Sequence, residues 1–278
     1  MLGAIIGDIV GSIYEFNNIK TMKFPLFSND NFYTDDTIMT LAVAEIIQNG
    51  YINDNDKVID TLKKWGRAYP DSGYGGRFYQ WLFSDNRNPY GSFGNGSAMR
   101  VSACGWYGNS EEEVKDLATK VTIVTHNHPE GLKGAIVVAT CIYYAKIGKS
   151  KSFIKNYIEK YYDIDFNYEE LRKNYKFNST CQGSVPEALY CFLISDSFEE
   201  TIRTTISIGG DCDTTAAIAG SIAEAFYGIP DNLINEAIKR LPKIKDGCNA
   251  KKIIDKFIYD FKKKWWYEMF SYWCLCKK

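Results

Sequence analysis

The sequence predicts an all-α protein, and three observations support that class. Apolar residues recur at helical spacing through most of the chain. Two S-x-x-E segments, Ser110 to Glu113 and Ser197 to Glu200, have the form of helix-starting capping boxes. No stretch sustains the period-two alternation of a half-buried strand, and no Asn-Gly pair joins two such runs.

The elements follow in order. Met1 to Val10 is apolar but interrupted by Asp8, with Glu15 just beyond and no basic start, so it is not a signal peptide. Ile38 to Ile47 is apolar on nearly every face, predicting a buried helix that Gly50 stops. Behind Ser110, the residues Val114, Leu117, Ala118 and Val121 share one helical face. Ala135 to Ala145 reads as another buried helix ending near Gly148; the apolar stretch from Gly134 is too short to cross a bilayer. Ser197 precedes Ile202 and Ile206 in the same way. Ala216 to Phe226 is small and apolar, suited to close helix packing, and Gly228 and Pro230 end it. Ile254, Phe257, Phe261 and Trp265 form a last apolar stripe.

Between these elements, Tyr161 to Gln182 is polar, aromatic and irregular, and reads as a long surface connection rather than a lid. The tail from Lys262 to Lys278 interleaves lysines with aromatics. A terminal helix docked on the body is the expectation there, ahead of a membrane-surface or nucleic-acid role. No linker or internal repeat divides the 278 residues, so one domain over 1–278 is expected.

A formal net charge of −1 gives no field that would draw nucleic acid. Eight cysteines without a CxxC pair or a secretory signal read as reduced, mostly buried thiols, and the protein as cytoplasmic.

Two short segments stand out against this background. Thr34-Asp35-Asp36-Thr37 precedes the helix of residues 38–47, and Gly209-Gly210-Asp211-Cys212-Asp213-Thr214 precedes the helix near Ala216. Asp and Thr are good N-caps and acids suit the positive end of a helix dipole, so capping alone is one reading. One cap needs only one such residue, however, and both segments double the acid ahead of a helix apolar enough to be buried. If the two ends meet, four carboxylates converge and repel unless cations neutralise them. Carboxylates and hydroxyls are hard donors, suited to Mg²⁺, Mn²⁺ or Ca²⁺ rather than zinc.

These two segments resemble the metal-binding signatures of the ADP-ribosylglycohydrolase family. Gly3-Ala4-Ile5-Ile6-Gly7-Asp8-Ile9-Val10-Gly11-Ser12, followed by Tyr14-Glu15-Phe16, resembles its N-terminal helix and glutamate-bearing loop. Gly94-Asn95-Gly96-Ser97-Ala98-Met99-Arg100 and Thr125-His126-Asn127-His128-Pro129 match as well, all in family order between residues 3 and about 230. Residues 241–278 carry no matching motif. The resemblance implies a compact all-α fold and a cleft with two Mg²⁺ ions, or Mn²⁺ in their place. It implies ligand roles for Thr34, Asp35, Asp36, Asp211, Asp213 and Thr214. Catalytic roles are expected of Glu15, Asp35, Asp36 and Asp213.

Gly91 to Ser97 is flexible backbone before a helix; it reads as a plain turn or as a phosphate cradle, and it fails the G-x-G-x-x-G pattern. With the resemblance, Gly94, Asn95, Gly96 and Ser97 are expected to bind ADP-ribose, as is His126. His126 and His128, one residue apart, would point opposite ways if extended and so would not share an ion; His128 before Pro129 reads as structural. Tyr74-Gly75-Gly76 reads as a loop that can border the pocket. The implied reaction is hydrolysis at the anomeric carbon of ADP-ribose, with ADP-ribosyl-arginine on protein the first-choice substrate and serine-linked or small-molecule conjugates as alternatives. A monomer is expected. Two rival readings are a non-catalytic ADP-ribose reader and a phosphatase based on Asp211-Cys212-Asp213-Thr214-Thr215 as D-x-D-x-T. The phosphatase motif should follow a buried strand and precede most of its domain, which this one does not.

Overall fold

A computed structural model describes residues 1–261. The expectations for the tail at 262–278, including Trp265, lie outside the described residues. The described residues form helices joined by loops: α1 (Leu2–Gly11), α2 (Asp35–Gln48), α3 (Asn55–Ala68), α4 (Gly76–Phe83), α5 (Gly96–Met99), α6 (Ser102–Tyr107) and α7 (Glu111–Ile123) make up the first half. The second half holds α8 (Pro129–Lys146), α9 (Lys151–Ile158), α10 (Tyr168–Asn174), α11 (Val185–Ile194), α12 (Phe198–Ser207), α13 (Cys212–Tyr227) and α14 (Asp231–Ile238). Residues 250–261 are helical too. Among the described residues no strand forms, and only two isolated bridges occur, Gly94 with Thr180 and Lys245 with Cys248. None of the described helices is long and apolar enough to cross a membrane.

Helix α13 is the centre, packed against α1, α8, α11 and α12. Its run of Ala216, Ala217, Ala219, Gly220 and Ala223 keeps its surface low, so neighbouring backbones come close. Helix α1 answers with glycines spaced four apart. A Cβ at Gly3 would overlap the Gly220 carbonyl, one at Gly7 the Ala216 carbonyl, and one at Gly11 the backbone of Asp213. This glycine stripe sets the two helices in backbone contact and lays the C-terminal end of α1 beside the N-terminal end of α13. Ile5, Ile6 and Ile9 are fully buried around it, each worth about 1.5–3 kcal/mol relative to exposure.

Both capping boxes form. Glu113 N donates to Ser110 Oγ at 3.1 Å and Glu200 N to Ser197 Oγ at 3.1 Å. The glutamates reach back one residue further than the simplest box, accepting from Asn109 N and Asp196 N. The stripe at the chain's end also packs: Phe257 and Phe261 set their rings against Trp106 and Tyr107 of α6. One apolar cluster extends from Met1 to Phe257. Cys104, Cys141, Cys181, Cys191, Cys212 and Cys248 are buried free thiols.

Two boundaries differ from expectation in a way that matters. Asp35 and Asp36 lie inside the first turn of α2, and Asp213 inside the first turn of α13, rather than in loops ahead of them. Thr34 moves the start of α2 forward by capping it, its Oγ1 accepting from Asp36 N at 3.3 Å. The acids therefore stand on rigid helix ends.

Candidate active site

Helix α1 is buried on every face, so its Asp8 must find hydrogen bonds inside the protein. It finds them at the start of α2. Asp8 Oδ2 accepts from Thr34 N at 3.0 Å and from Thr37 N at 3.0 Å, and Oδ1 accepts from Thr34 Oγ1 at 2.7 Å. A carboxylate of one helix thus caps the next.

The two acidic segments do meet. Thr214 Oγ1 on α13 donates to Asp36 Oδ2 on α2 at 3.2 Å. Carboxylate oxygens of Asp8, Asp36 and Asp213 lie within 4.8 Å of one another, and so do those of Glu15, Asp211 and Asp213. Asp213 belongs to both groups. Asp8, Asp36, Asp211 and Asp213 are buried, while Asp35 and Glu15 are half-buried. Asp35 belongs to neither trio but faces the same cavity as Glu15, Asp211 and Asp213.

Capping alone does not account for this arrangement. Asp211 stands at the N-cap of α13 but makes no capping bond; its Oδ2 accepts from Asn95 Nδ2 at 2.8 Å. Asp36 Oδ1 is buried without a partner. Burial, then the neighbouring carboxylates, hold Asp35, Asp36 and Asp213 well above the usual carboxylate range. Burial pushes Asp8 up to about 6 against the pull of its hydrogen bonds from Thr37 and Thr34. Burial, then Asp211 and Asp8, push Glu15 up to about 7. Such crowding of unneutralised acid, with an orphaned oxygen among it, fits a hard divalent cation. The carboxylates present can hold one at either trio.

Glu15 is carried by the turn after α1, and Asn18 ties that turn down. Asn18 Nδ2 donates to Tyr14 O at 2.7 Å, Glu15 O at 2.9 Å and Gly210 O at 2.9 Å, and its Oδ1 accepts from Gly210 N at 2.8 Å. Gly209 and Gly210 take φ of 73° and 78°, the left-handed region that glycine tolerates. Nearby, the Lys20 ammonium donates to the carbonyls of Ile208 and Tyr175.

The acids open into a cavity of about 310 Å³, at the lower end of the range of small-molecule sites. Gly94, Asn95, Gly96, Arg100 and His126 line its other part. Of the Tyr74-Gly75-Gly76 loop, Gly75 and Gly76 border it while Tyr74 does not, and Gly73 borders it as well. Ser97 does not: it is fully buried, and its Oγ donates to Gly131 O at 2.8 Å, holding the turn from behind. Thr34 and Asp36 are buried and do not line the cavity. His128 caps α8, its Nδ1 accepting from Glu130 N at 3.1 Å, which is a structural role.

The surface reading of Tyr161 to Gln182 needs correction, because Phe177 and Ser179 line the cavity. The segment is drawn in by backbone bonds to the glycine turn, Asn95 N to Ser179 O and Cys181 N to Phe93 O, both 2.9 Å. The Phe177 ring also stacks on Phe16, beside Glu15, at 6.0 Å between centroids. Asp8, Asn18 and Arg100 are the residues whose place here the sequence did not reveal. The glycines four apart in α1 were the available signal for Asp8, since they demand a helix pressed against another backbone. Arg100 closes the Gly94-to-Arg100 segment that the resemblance picked out, though nothing there pointed to its burial, and Asn18 carried no signal. The D-x-D-x-T segment follows helix α12, not a strand, so the phosphatase reading falls.

Fold and site together define an all-helical protein with a carboxylate centre between two helix ends. A sequence model of the ADP-ribosylglycohydrolase family matches residues 1–262, and the chain belongs to that family. It is similar to ADP-ribosylhydrolase ARH3 of Mus musculus, 26% identical over 82% of this chain and 83% of the relative. It is also similar to the ADP-ribosyl-(dinitrogen reductase) glycohydrolase of Rhodospirillum rubrum, 26% identical over 83% and 85%. A solved structure described as an ADP-ribosylglycohydrolase-related protein complex shares the fold, with a TM-score of 0.64 at 24% identity over 85% of this chain and 95% of that one. The chain is accordingly an ADP-ribosylglycohydrolase, an enzyme that removes ADP-ribose by hydrolysis.

Proposed function

We propose that this enzyme releases ADP-ribose from modified protein in a divalent-metal-dependent reaction, with the arginine N-glycoside as first substrate. The observation that carries this reading is the pair of acidic trios that share Asp213, one of which, Glu15, Asp211 and Asp213, lines a cavity beside the glycine turn and His126. A protein acceptor is supported by the bacterial relative, whose name specifies an ADP-ribosylated protein.

In this reading Thr34, Asp35, Asp36, Asp211, Asp213 and Thr214 hold two Mg²⁺ ions, or Mn²⁺ in their place, with Glu15 beside them. Bound there, the ions supply Lewis-acid stabilisation of negative charge and lower the pKa of water. The chain's own groups do the rest. Glycoside cleavage passes through an oxocarbenium-like state at the anomeric carbon, and the carboxylates stabilise that developing positive charge. Glu15 positions the substrate or moves a proton at its carboxylate, from a turn held by Asn18. Gly94, Asn95, Gly96 and His126 bind the ADP-ribose, and Ser97 shapes their turn from beneath. Asn95 couples the two parts of the cavity, because its amide reaches Asp211.

The test is ADP-ribose release from arginine-modified and serine-modified peptides, side by side with Mg²⁺. Release from the arginine peptide, suppressed by EDTA, is the expected result. Release from the serine peptide alone would replace the acceptor. Silence on both with ADP-ribose still bound would sink a protein-directed hydrolase.

A further inference from the structure

Away from the acids, the cavity wall holds cations. Arg100 is 1% exposed, and among the described residues no carboxylate forms an ion pair with it. Its Nη2 donates to Val121 O at 3.0 Å and to Thr125 Oγ1 at 2.8 Å, its Nε has no partner, and its guanidinium lies over the Phe78 ring at 5.7 Å. Arg77 lies over Tyr90 on the same wall. A buried cation of this kind needs compensation, and the cavity is where an anion can supply it.

The Thr125 hydroxyl links Arg100 to His126. It accepts from Arg100 and lies 2.8 Å from His126 Nδ1. It has one proton to give. Its other acceptor, Thr122 O, is 3.4 Å away and already takes Thr125 N at 3.1 Å and His126 N at 2.8 Å. Nδ1 is therefore the nearer and less crowded acceptor for that proton, and giving it there leaves the ring its own on Nε2. Nε2 faces the glycine turn; a Cβ at Gly94 or Gly96 would lie 3.7 or 3.6 Å from it. Phe78 and Tyr90 flank the ring.

We propose that Arg100 and Thr125 are positioning residues that lock His126 in its neutral Nε2–H tautomer, making it a fixed hydrogen-bond donor to a phosphate oxygen of the bound ligand. The inference rests on the cavity being an ADP-ribose site as to the ligand, but the relay itself does not. Burial, then Arg100 and Arg77, hold the imidazole well below its usual pKa, which keeps it neutral. Either nitrogen of a neutral imidazole can carry the proton, and the Thr125 hydroxyl, its oxygen engaged by Arg100, selects Nε2. No bond is made or broken; the relay fixes a direction before the ligand arrives.

Because the chain has only two histidines, His126 and His128, the tautomer can be read directly. Long-range ¹H–¹⁵N correlation on the ligand-free, ¹⁵N-labelled protein, assigned with His128→Gln, should show a pyrrole-type Nε2 and a pyridine-type Nδ1 for His126. Thr125→Val should lose that signature, and Thr125→Ser should keep it. A pyrrole-type Nδ1 in the wild type, or an unchanged spectrum in Thr125→Val, would overturn the relay whatever the ligand is. Calorimetric titration with ADP-ribose reads the second half. Affinity should drop about tenfold in Thr125→Val, the scale of one hydrogen bond to a charged group, and recover in Thr125→Ser. Equal affinity in all three would overturn the donor role while leaving the tautomer to stand on the spectra.

Discussion

Thr214 and Asp36, 178 residues apart, are joined by a hydrogen bond of 3.2 Å from the threonine hydroxyl to Oδ2. That contact brings the N-terminal ends of α13 and α2 together and leaves Asp36 Oδ1 buried without a partner. It makes Asp36 a point of conflict between stability and function. Asp36→Asn removes one of several buried like charges, so the metal-free protein should melt higher than wild type, by a few degrees if the relief is about 1 kcal/mol. Activity should fall about 100-fold or more, as expected when a metal site loses part of its support. Melting in EDTA beside turnover with Mg²⁺ checks both. A variant that is less stable in EDTA and fully active would contradict the account.

The same crowding sets a pH dependence. In the folded chain Asp8 is pushed up to about 6 and Glu15 up to about 7. Groups raised on folding contribute stability that is complete below their unfolded pKa and is lost as pH rises through the folded value. The metal-free protein should therefore melt higher near pH 5 than near pH 8, with the loss concentrated between about 4 and 7. Saturating Mg²⁺ should restore stability at the alkaline end, since cations replace protons as the neutralising charge. Equal melting at both pH values in EDTA would refute this.

Gly7 is where α1 touches α13, and an added Cβ would overlap the Ala216 backbone. Backbone cannot step aside as a flexible side chain can. Gly7→Ala should cost about 3 kcal/mol, measured by urea unfolding, and should lower activity as well because Asp8 is the next residue. A cost under about 1 kcal/mol would show that the helix contact is looser than described.

Asn18 carries the tie between the Glu15 turn and Gly210. It is exposed, so its loss should spare the core. Asn18→Ala should lower kcat/KM about tenfold, equivalent to about 1.4 kcal/mol, with little change in the melting temperature. An unaltered kcat/KM would remove Asn18 from the positioning of Glu15.

Much of this was legible in the chain. The paired acids of residues 35–36 and 211–213 were visible because doubled carboxylates ahead of apolar helices have no simple structural use. The helices themselves were visible from Ser110, Ser197 and the periodicity behind them. Asp8 was harder, because a lone acid in an apolar run reads only as an interruption. Its partners lie at Thr34 and Thr37, and only the packing of α1 against the start of α2 brings them near. The segment ending at Gln182 was misread for a related reason. Its tie to the glycine turn is made by backbone atoms of Phe93, Asn95, Ser179 and Cys181, which no side-chain pattern announces. Arg100 likewise gave no sign of being buried, since its partners Val121 and Thr125 are one helix away.

Anomalous diffraction from crystals soaked in Mn²⁺ would show whether two divalent cations sit between the helix ends. Two peaks are expected, one touching Asp36 and Asp213 and the other touching Asp211 and Asp213, beside Glu15. A cavity free of manganese, in crystals of protein that hydrolyses its substrate, would contradict it.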